Sequence, residues 1–229
     1  MPDTISKPGG AKARPDDRIA RTRAAILAAA LPNVAFDGWT TKLMREAADS
    51  AGISHGEMRL AFPGGITDLA DCFLADGDRR MEEALAKRDL ASLKIRERIT
   101  LAVRMRIEAD LKHREAVRRA VTLLALPLSG TTGPHALYRT VDAIWRAIGD
   151  TSTDFNFYTK RALLAGVYST VTINWFGDES EGYADTWAFL DRRIADVMQI
   201  EKAKASVQKL GSFLPDPLAL LSRLRYRKS

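Results

Sequence analysis

The chain is poor in the residues on which most site chemistry depends. It has one cysteine, Cys72, and three histidines, His55, His113 and His135. A lone cysteine excludes an intramolecular disulfide framework and a thiolate metal cluster, as expected in a reducing bacterial cytoplasm. The histidines fall in separate predicted elements, without the H-x-x-x-H spacing that sets two imidazoles on one helix face. The pair Gly64 and Gly65 lacks both the lysine of a P-loop and a preceding strand. Cys72 lies on an amphipathic helix and reads as a small packed residue. No acid/base pair stands out, so neither catalysis nor a cofactor or metal is expected.

Long apolar runs are also missing. The greasiest stretch, Leu163 to Phe176, is flanked by Arg161 and Asp178 and falls short of the roughly 18 apolar residues that read as a membrane span. Residues 1–16 contain prolines, glycines and acidic residues but no apolar segment. They read as a disordered tail rather than a secretory signal or an acid-poor transit peptide. Sustained two-residue alternation is absent too, which excludes a sheet protein.

What remains is an all-α chain of 229 residues, 46% hydrophobic, long enough to bury a sizeable core. Its net charge of +6 favours an anionic partner, whether nucleic acid, acidic protein or lipid phosphate. Apolar residues recur at three and four spacings throughout, predicting about nine to ten helices. A first helix from Asp17 is expected to stop at Pro32, with others at Thr41 to Ser50 and Ser54 to Phe62. Longer ones follow at Thr67 to Lys87 and Ile95 to Leu111, then Glu115 to Leu126, Ala136 to Ile148, Asp154 to Phe176 and Ala184 to Lys204. One compact domain is expected over 17–205, then a flexible linker over 206–217 and a terminal helix over 218–229. The mixed charges between Lys94 and Arg119 read as a solvated helix face.

The pair Met44 to Ala51 and Ser54 to Ala61, joined through Gly52, has the form of a helix-turn-helix. The wider run "RAAILAAALPNVAFDGWTTKLMREAADSAGISHGEMRLAFPGGITDLADCF" resembles the amino-terminal module of TetR-type transcription regulators. Two features oppose DNA reading. Glu57 places a carboxylate where phosphates would lie, and Pro63 with Gly64 replaces the phosphate-contacting lysine of the TetR pattern. Like charge repels DNA, so DNA binding is not expected, with a ligand-responsive regulator as the alternative.

A narrower resemblance covers most of the chain from Ile26 to about Ile200. The stretches "LPNVAFDGWT", "LKIRERITLAVRMRIE", "REAVRRAVTLLALPL", "GDTSTDFNFYTKRALLAGVYSTV" and "DTWAFLDRRI" resemble the ubiquinone biosynthesis accessory family often called Coq-nine. The resemblance implies a TetR-like homodimer that has lost DNA binding. It would hold an isoprenoid quinone precursor or a phospholipid inside and present it to a membrane-bound hydroxylase.

Pockets in helical proteins form between helices and are mostly apolar. Ile99, Val103 and Ile107, with Leu123 and Leu124 and with Leu137, Val141, Ile144 and Trp145, are placed to line one. On the nearly all-round apolar helix after Asp154, Leu164, Val167, Tyr168 and Val171 join them. Part of that surface, with Trp187, Leu190 and Ile194, is expected at a twofold interface. In "GDTSTDFNFYTKR" a calcium loop is excluded, because Phe155 and Arg161 stand where glycine and a bidentate glutamate are needed. Thr151 with Asp154 reads instead as a capping box. Asp154, Phe157, Tyr158, Lys160 and Arg161 form the patch that the resemblance assigns to the hydroxylase, although the family usually has tryptophan where this chain has Phe157. The terminal helix sets Leu218, Leu220, Leu221 and Leu224 on one half, with Arg223 opposite and Arg225 near the border. That pattern suits a helix lying on an anionic membrane surface.

Overall fold

The computed structural model describes residues 15–150 and 155–212. Among the described residues there are nine α-helices and no strand: α1 (Pro15–Asp37), α2 (Thr41–Ser50), α3 (His55–Ala61), α4 (Ile66–Leu85), α5 (Ile95–Glu108), α6 (Arg114–Leu124), α7 (Thr132–Ala147), α8 (Phe155–Gly177) and α9 (Ala184–Ser212). The expected capping box at Thr151 and Asp154 and the terminal helix from Leu218 lie outside the described residues.

Three boundaries differ most from the sequence expectation. Helix α1 runs through Pro32 to Asp37, although an interior proline costs about 3 kcal/mol. Ala30 and Val34, on either side of it, are both fully buried, and their packing outweighs the lost backbone bond. Helix α7 begins at Thr132, with Pro134 in its first turn, where the missing N–H has no intrahelical partner to lose. Helix α9 continues past Lys204 to Ser212, over residues that read as the start of a linker.

The described chain divides into two compact units, residues 15–88 with 102–150, and residues 89–101 with 155–212. Helix α5 gives its first half to the second unit and its second half to the first.

In the first unit α4 is central, packing on α1, α2, α6 and α7. Its buried face carries Leu69, Phe73, Leu74, Met81 and Leu85. The Trp39 ring lies 5.4 Å from that of Phe73, and its indole N–H donates to the Ala116 carbonyl at 3.0 Å. The corner between α1 and α2 is thereby tied to α6 as well as α4.

Most charges between Lys94 and Arg119 lie on an exposed face, as the composition suggests, but two do not. Arg106 and Asp110 are both buried. The Arg106 guanidinium donates to Asp78 on α4 at 2.6 Å, to Asp110 at 2.6 Å and to the Leu74 carbonyl at 3.0 Å. Arg80 donates to the other oxygen of Asp110 at 2.6 Å and to the Ala109 carbonyl. Asp78 also accepts from Thr140 at 2.8 Å and from Arg139 at 3.1 Å, and Arg139 reaches Asp71 at 2.6 Å. Helices α4, α5 and α7 thus meet around one buried ionic network. Gly77 makes room for it, since a Cβ there would sit 2.6 Å from an Arg106 nitrogen. Sequence spacing displays only the Arg106 to Asp110 step along one helix, because Asp78 comes from α4.

The second unit is built on the pairing of α8 with α9. Leu164, Val167, Val171 and Trp175 on α8 are buried, as are Thr186, Leu190 and Ile194 on α9. Asp178 closes the turn between them. One carboxylate oxygen accepts from the Ser180 N–H and hydroxyl at 2.8 and 2.6 Å, and the other from the Thr186 N–H and hydroxyl at 2.8 and 2.6 Å. Burial alone would push this carboxyl up, but the four hydrogen bonds from Ser180 and Thr186 outweigh it and hold Asp178 well below the usual carboxylate range.

Two stability predictions follow from these polar clusters. Arg106→Met strands the carboxylates of Asp78 and Asp110 and is expected to lower the unfolding free energy by about 3–5 kcal/mol in urea titrations. A loss under about 1 kcal/mol would mean that Arg80 and Arg139 suffice to neutralise them. For Asp178 the folded-state value lies below the unfolded one, so its ionisation stabilises the fold above the unfolded value and is lost as pH falls. The stability gap between wild type and Asp178→Asn should therefore stay level between about pH 7 and 5 and narrow below about pH 4. A gap that persists undiminished to the lowest pH at which the protein folds would count against this role.

Candidate functional site

The helix-turn-helix is present in the first unit, and its ends are locally encoded. Gly52, at φ +67°, lets the chain leave α2 with two closing bonds, from Gly52 to the Asp49 carbonyl at 3.0 Å and from Ile53 to Ala48 at 2.9 Å. Ser54 and Glu57 then form a reciprocal capping box at the start of α3. The Ser54 hydroxyl holds the exposed Glu57 carboxyl below its usual value, so α3 carries a fixed negative charge at neutral pH. The Pro63 to Gly65 turn adds a second carboxylate, since the Gly64 N–H donates to Asp68 at 2.6 Å. Leu60, also on α3, is 69% exposed. Between α2 and the end of α3 lies an open groove of about 380 Å³ with Met44, Met58 and Phe62 among its lining and Arg45 and Arg59 at its edge. The module thus keeps the shape of a DNA reader while its outer helix offers carboxylate and leucine.

The expected ligand-lining residues fall into both units. In the first, Val103, Ile107, Leu124, Val141, Ile144 and Trp145 are buried and Leu137 is half-buried. The start of α7 closes on the end of α6, where Gly133 abuts the Leu124 carbonyl, so Leu124 lies beside α7. In the second unit, Ile99, Leu164, Val167 and Val171 are buried and Tyr168 is half-buried.

Two residues that sequence reasoning passed over stand on the same helix. Thr172 and Trp175 are 5% and 1% exposed, yet neither the threonine hydroxyl nor the indole N–H has a hydrogen-bond partner. The signal was available, since Thr172 follows Leu164 and Tyr168 at steps of four, and Trp175 follows Val171 in the same way.

Of the expected docking residues, Asp154 lies outside the described residues. Tyr158 is the outward one, at 69% exposure. Phe157 meets its ring edge-on at 5.1 Å, and Lys160 is half-buried. Arg161 is buried rather than presented. Its guanidinium stacks 3.3 Å above the Phe157 ring and donates to the Phe157 carbonyl at 3.3 Å, because residues four apart lie one above the other on a helix. The expected membrane-binding residues, Leu218, Leu220, Leu221, Leu224, Arg223 and Arg225, lie outside the described residues.

Helix α8 also carries an outward stripe. Tyr158, Ala162, Gly166, Thr170, Ile173 and Gly177 are all exposed and repeat at three and four spacings, with Ile173 64% exposed. A Cβ on Gly166 or Gly177 would meet nothing within 4 Å. Of the residues expected at a twofold interface, Leu190 and Ile194 are already buried within the single chain. Trp187 donates its indole N–H to the Gly182 carbonyl at 2.8 Å. Elsewhere, burial pushes the Cys72 thiol up, which disfavours the reactive thiolate. His55 pairs with Asp49 at 3.0 Å, and no metal-ligand cluster occurs among the described residues.

Comparison with known proteins gives this arrangement its context. Residues 131–201 match the COQ9 family. The chain is 34% identical over 196 residues to the mitochondrial ubiquinone biosynthesis protein COQ9 of Rattus norvegicus, covering 82% of this chain and 62% of that one. It is 32% identical to the Homo sapiens protein of the same name over 82% of this chain and 61% of that one. The chain therefore spans about three-fifths of the length of these relatives. Among solved structures, a TetR transcriptional regulator from Nitrosomonas europaea superposes with a TM-score of 0.60 at 22% identity, covering 76% of this chain and 97% of that one, a likeness of fold alone. This all-α chain, TetR-like in fold, follows the ubiquinone biosynthesis proteins along four-fifths of its length, and its residues 131–201 match the COQ9 family.

Proposed function

We propose that this chain is a lipid-binding accessory protein of ubiquinone biosynthesis that catalyses no reaction itself. It holds an isoprenoid quinone precursor or a phospholipid and presents it to a quinone-ring hydroxylase. The observation that carries this reading is the kinship with COQ9 proteins, whose name is that of a biosynthesis protein and not of a reaction. Buried apolar faces on α5, α7 and α8 supply the kind of surface that a hydrocarbon guest needs. Described helices offer no candidate membrane span. The proposed site of action is the surface of a bacterial inner membrane, on its cytoplasmic face, reached through the terminal leucines and arginines.

The protein acts as a homodimer in this reading. The part of the α8 stripe from Ala162 to Gly177 supports it, because small side chains allow helices to approach closely and an exposed apolar row is otherwise a liability in water. Tyr158, at the start of that helix, is the anchor for the hydroxylase. Glu57 on α3 and Asp68 at the start of α4 speak against the alternative, a DNA-reading regulator.

Lipid extraction and native mass spectrometry of the purified full chain should recover a stoichiometric isoprenoid or phospholipid; lipid-free protein would refute the carrier role. Gly166→Leu adds bulk to the stripe at a site open to solvent in one chain, and raises helix propensity by roughly 1 kcal/mol. It should convert a dimer to a monomer in sedimentation runs without lowering Tm, and an unchanged dimer would move the interface elsewhere. Tyr158→Ala should weaken hydroxylase binding by about 2 kcal/mol, the loss typical of a hot-spot aromatic. Full retention of the complex would place docking on another surface.

A further inference from the structure

The buried face of α8 changes character along its length. From Leu164 through Val167 and Tyr168 to Val171 it is apolar apart from the tyrosine hydroxyl, over about 10 Å of helix at 1.5 Å per residue. One turn further on, the same face ends in two hydrogen-bond donors, the Thr172 hydroxyl and the Trp175 indole N–H. Both side chains are more than nine-tenths buried and both donors are unpartnered. Leaving a buried donor unsatisfied costs about 1–3 kcal/mol, and buried polar groups nearly always have a partner. The local structure could have supplied one. Thr170, two residues earlier, donates to the carbonyls of Gly166 and Val167 at 2.8 and 3.0 Å, the common refuge of a helical threonine, whereas Thr172 does not. Asp178, in the turn after α8, is engaged by Ser180 and Thr186.

We infer that Thr172 and Trp175 form the polar end of the lipid site and donate to an oxygen on the head of the bound molecule, while its chain runs along α8 toward Leu164. The ligand class is thereby narrowed to an apolar chain ending in a neutral acceptor group such as a ring carbonyl, rather than a bare hydrocarbon. A carboxylate or phosphate head is disfavoured, since two neutral donors do not offset the burial of a charge. This rests on the carrier reading above and adds to it an orientation and a head-group chemistry.

The test compares two probes of equal chain length, 2-decyl-1,4-benzoquinone and decylbenzene, which differ in their two carbonyl oxygens. Binding is measured by calorimetry on the delipidated full chain. Wild type should prefer the quinone. Thr172→Val and Trp175→Phe remove the donors with little change of shape, and together they should weaken quinone binding about tenfold, the equivalent of roughly 1.4 kcal/mol. Decylbenzene affinity should stay within twofold, and the Tm of the ligand-free protein should hold or rise. Thr172→Ser, which keeps the donor, should retain quinone binding. Unchanged quinone affinity in the double variant would overturn the assignment of these two residues while leaving the carrier reading intact. Equal losses for both probes with a lowered Tm would make the donors part of the fold. If neither probe binds wild type, the carrier reading fails and this inference fails with it.

Discussion

The buried guanidinium of Arg106 is the constraint around which the first unit is arranged. It is held by Asp78 from α4 and by Asp110 from the turn that follows its own helix, and those carboxylates are shared with Arg80, Arg139 and Thr140. Charges taken out of water are tolerated only when each finds partners at good geometry, so α4, α5 and α7 cannot shift independently. A well-packed apolar cluster would serve stability as well. The ionic one differs in that it fixes direction as well as proximity, which suits a unit that must keep shape if its interior is to admit a guest.

The helix-turn-helix has a different status. Its caps, turn and buried residues are intact, with Leu43, Met44, Ala47, Ala48 and Met58 all buried. The elements that make it fold are separate from those that would make it read DNA. Buried positions face α1, and the exposed positions of α3 hold His55, Glu57, Arg59 and Leu60. A fold common to transcription regulators can therefore carry another function, because function resides in the outward side chains and not in the backbone arrangement.

Much of this was legible along the chain. The order and approximate span of the helices followed from apolar spacing, and Gly52 announced the α2 to α3 turn. What failed did so where a local rule met a partner it did not count. Pro32 should have ended α1, but Ala30 and Val34 are packed from outside the segment. Arg106 looked like one of many helix-surface arginines, and Arg161 like a docking cation. Each is buried because something beyond its local charge pattern covers it, α4 in the first case and the Phe157 ring in the second.

Sequence alone determined the helical class, the scarcity of chemically reactive residues and the family likeness, because periodicity and residue identity are properties of the chain itself. Tertiary structure decided which charges are buried, which face of α8 looks outward through Gly166 and Ile173, and which donors, at Thr172 and Trp175, are left without acceptors. Those outcomes depend on what each residue meets across space, and no spacing along the chain records it.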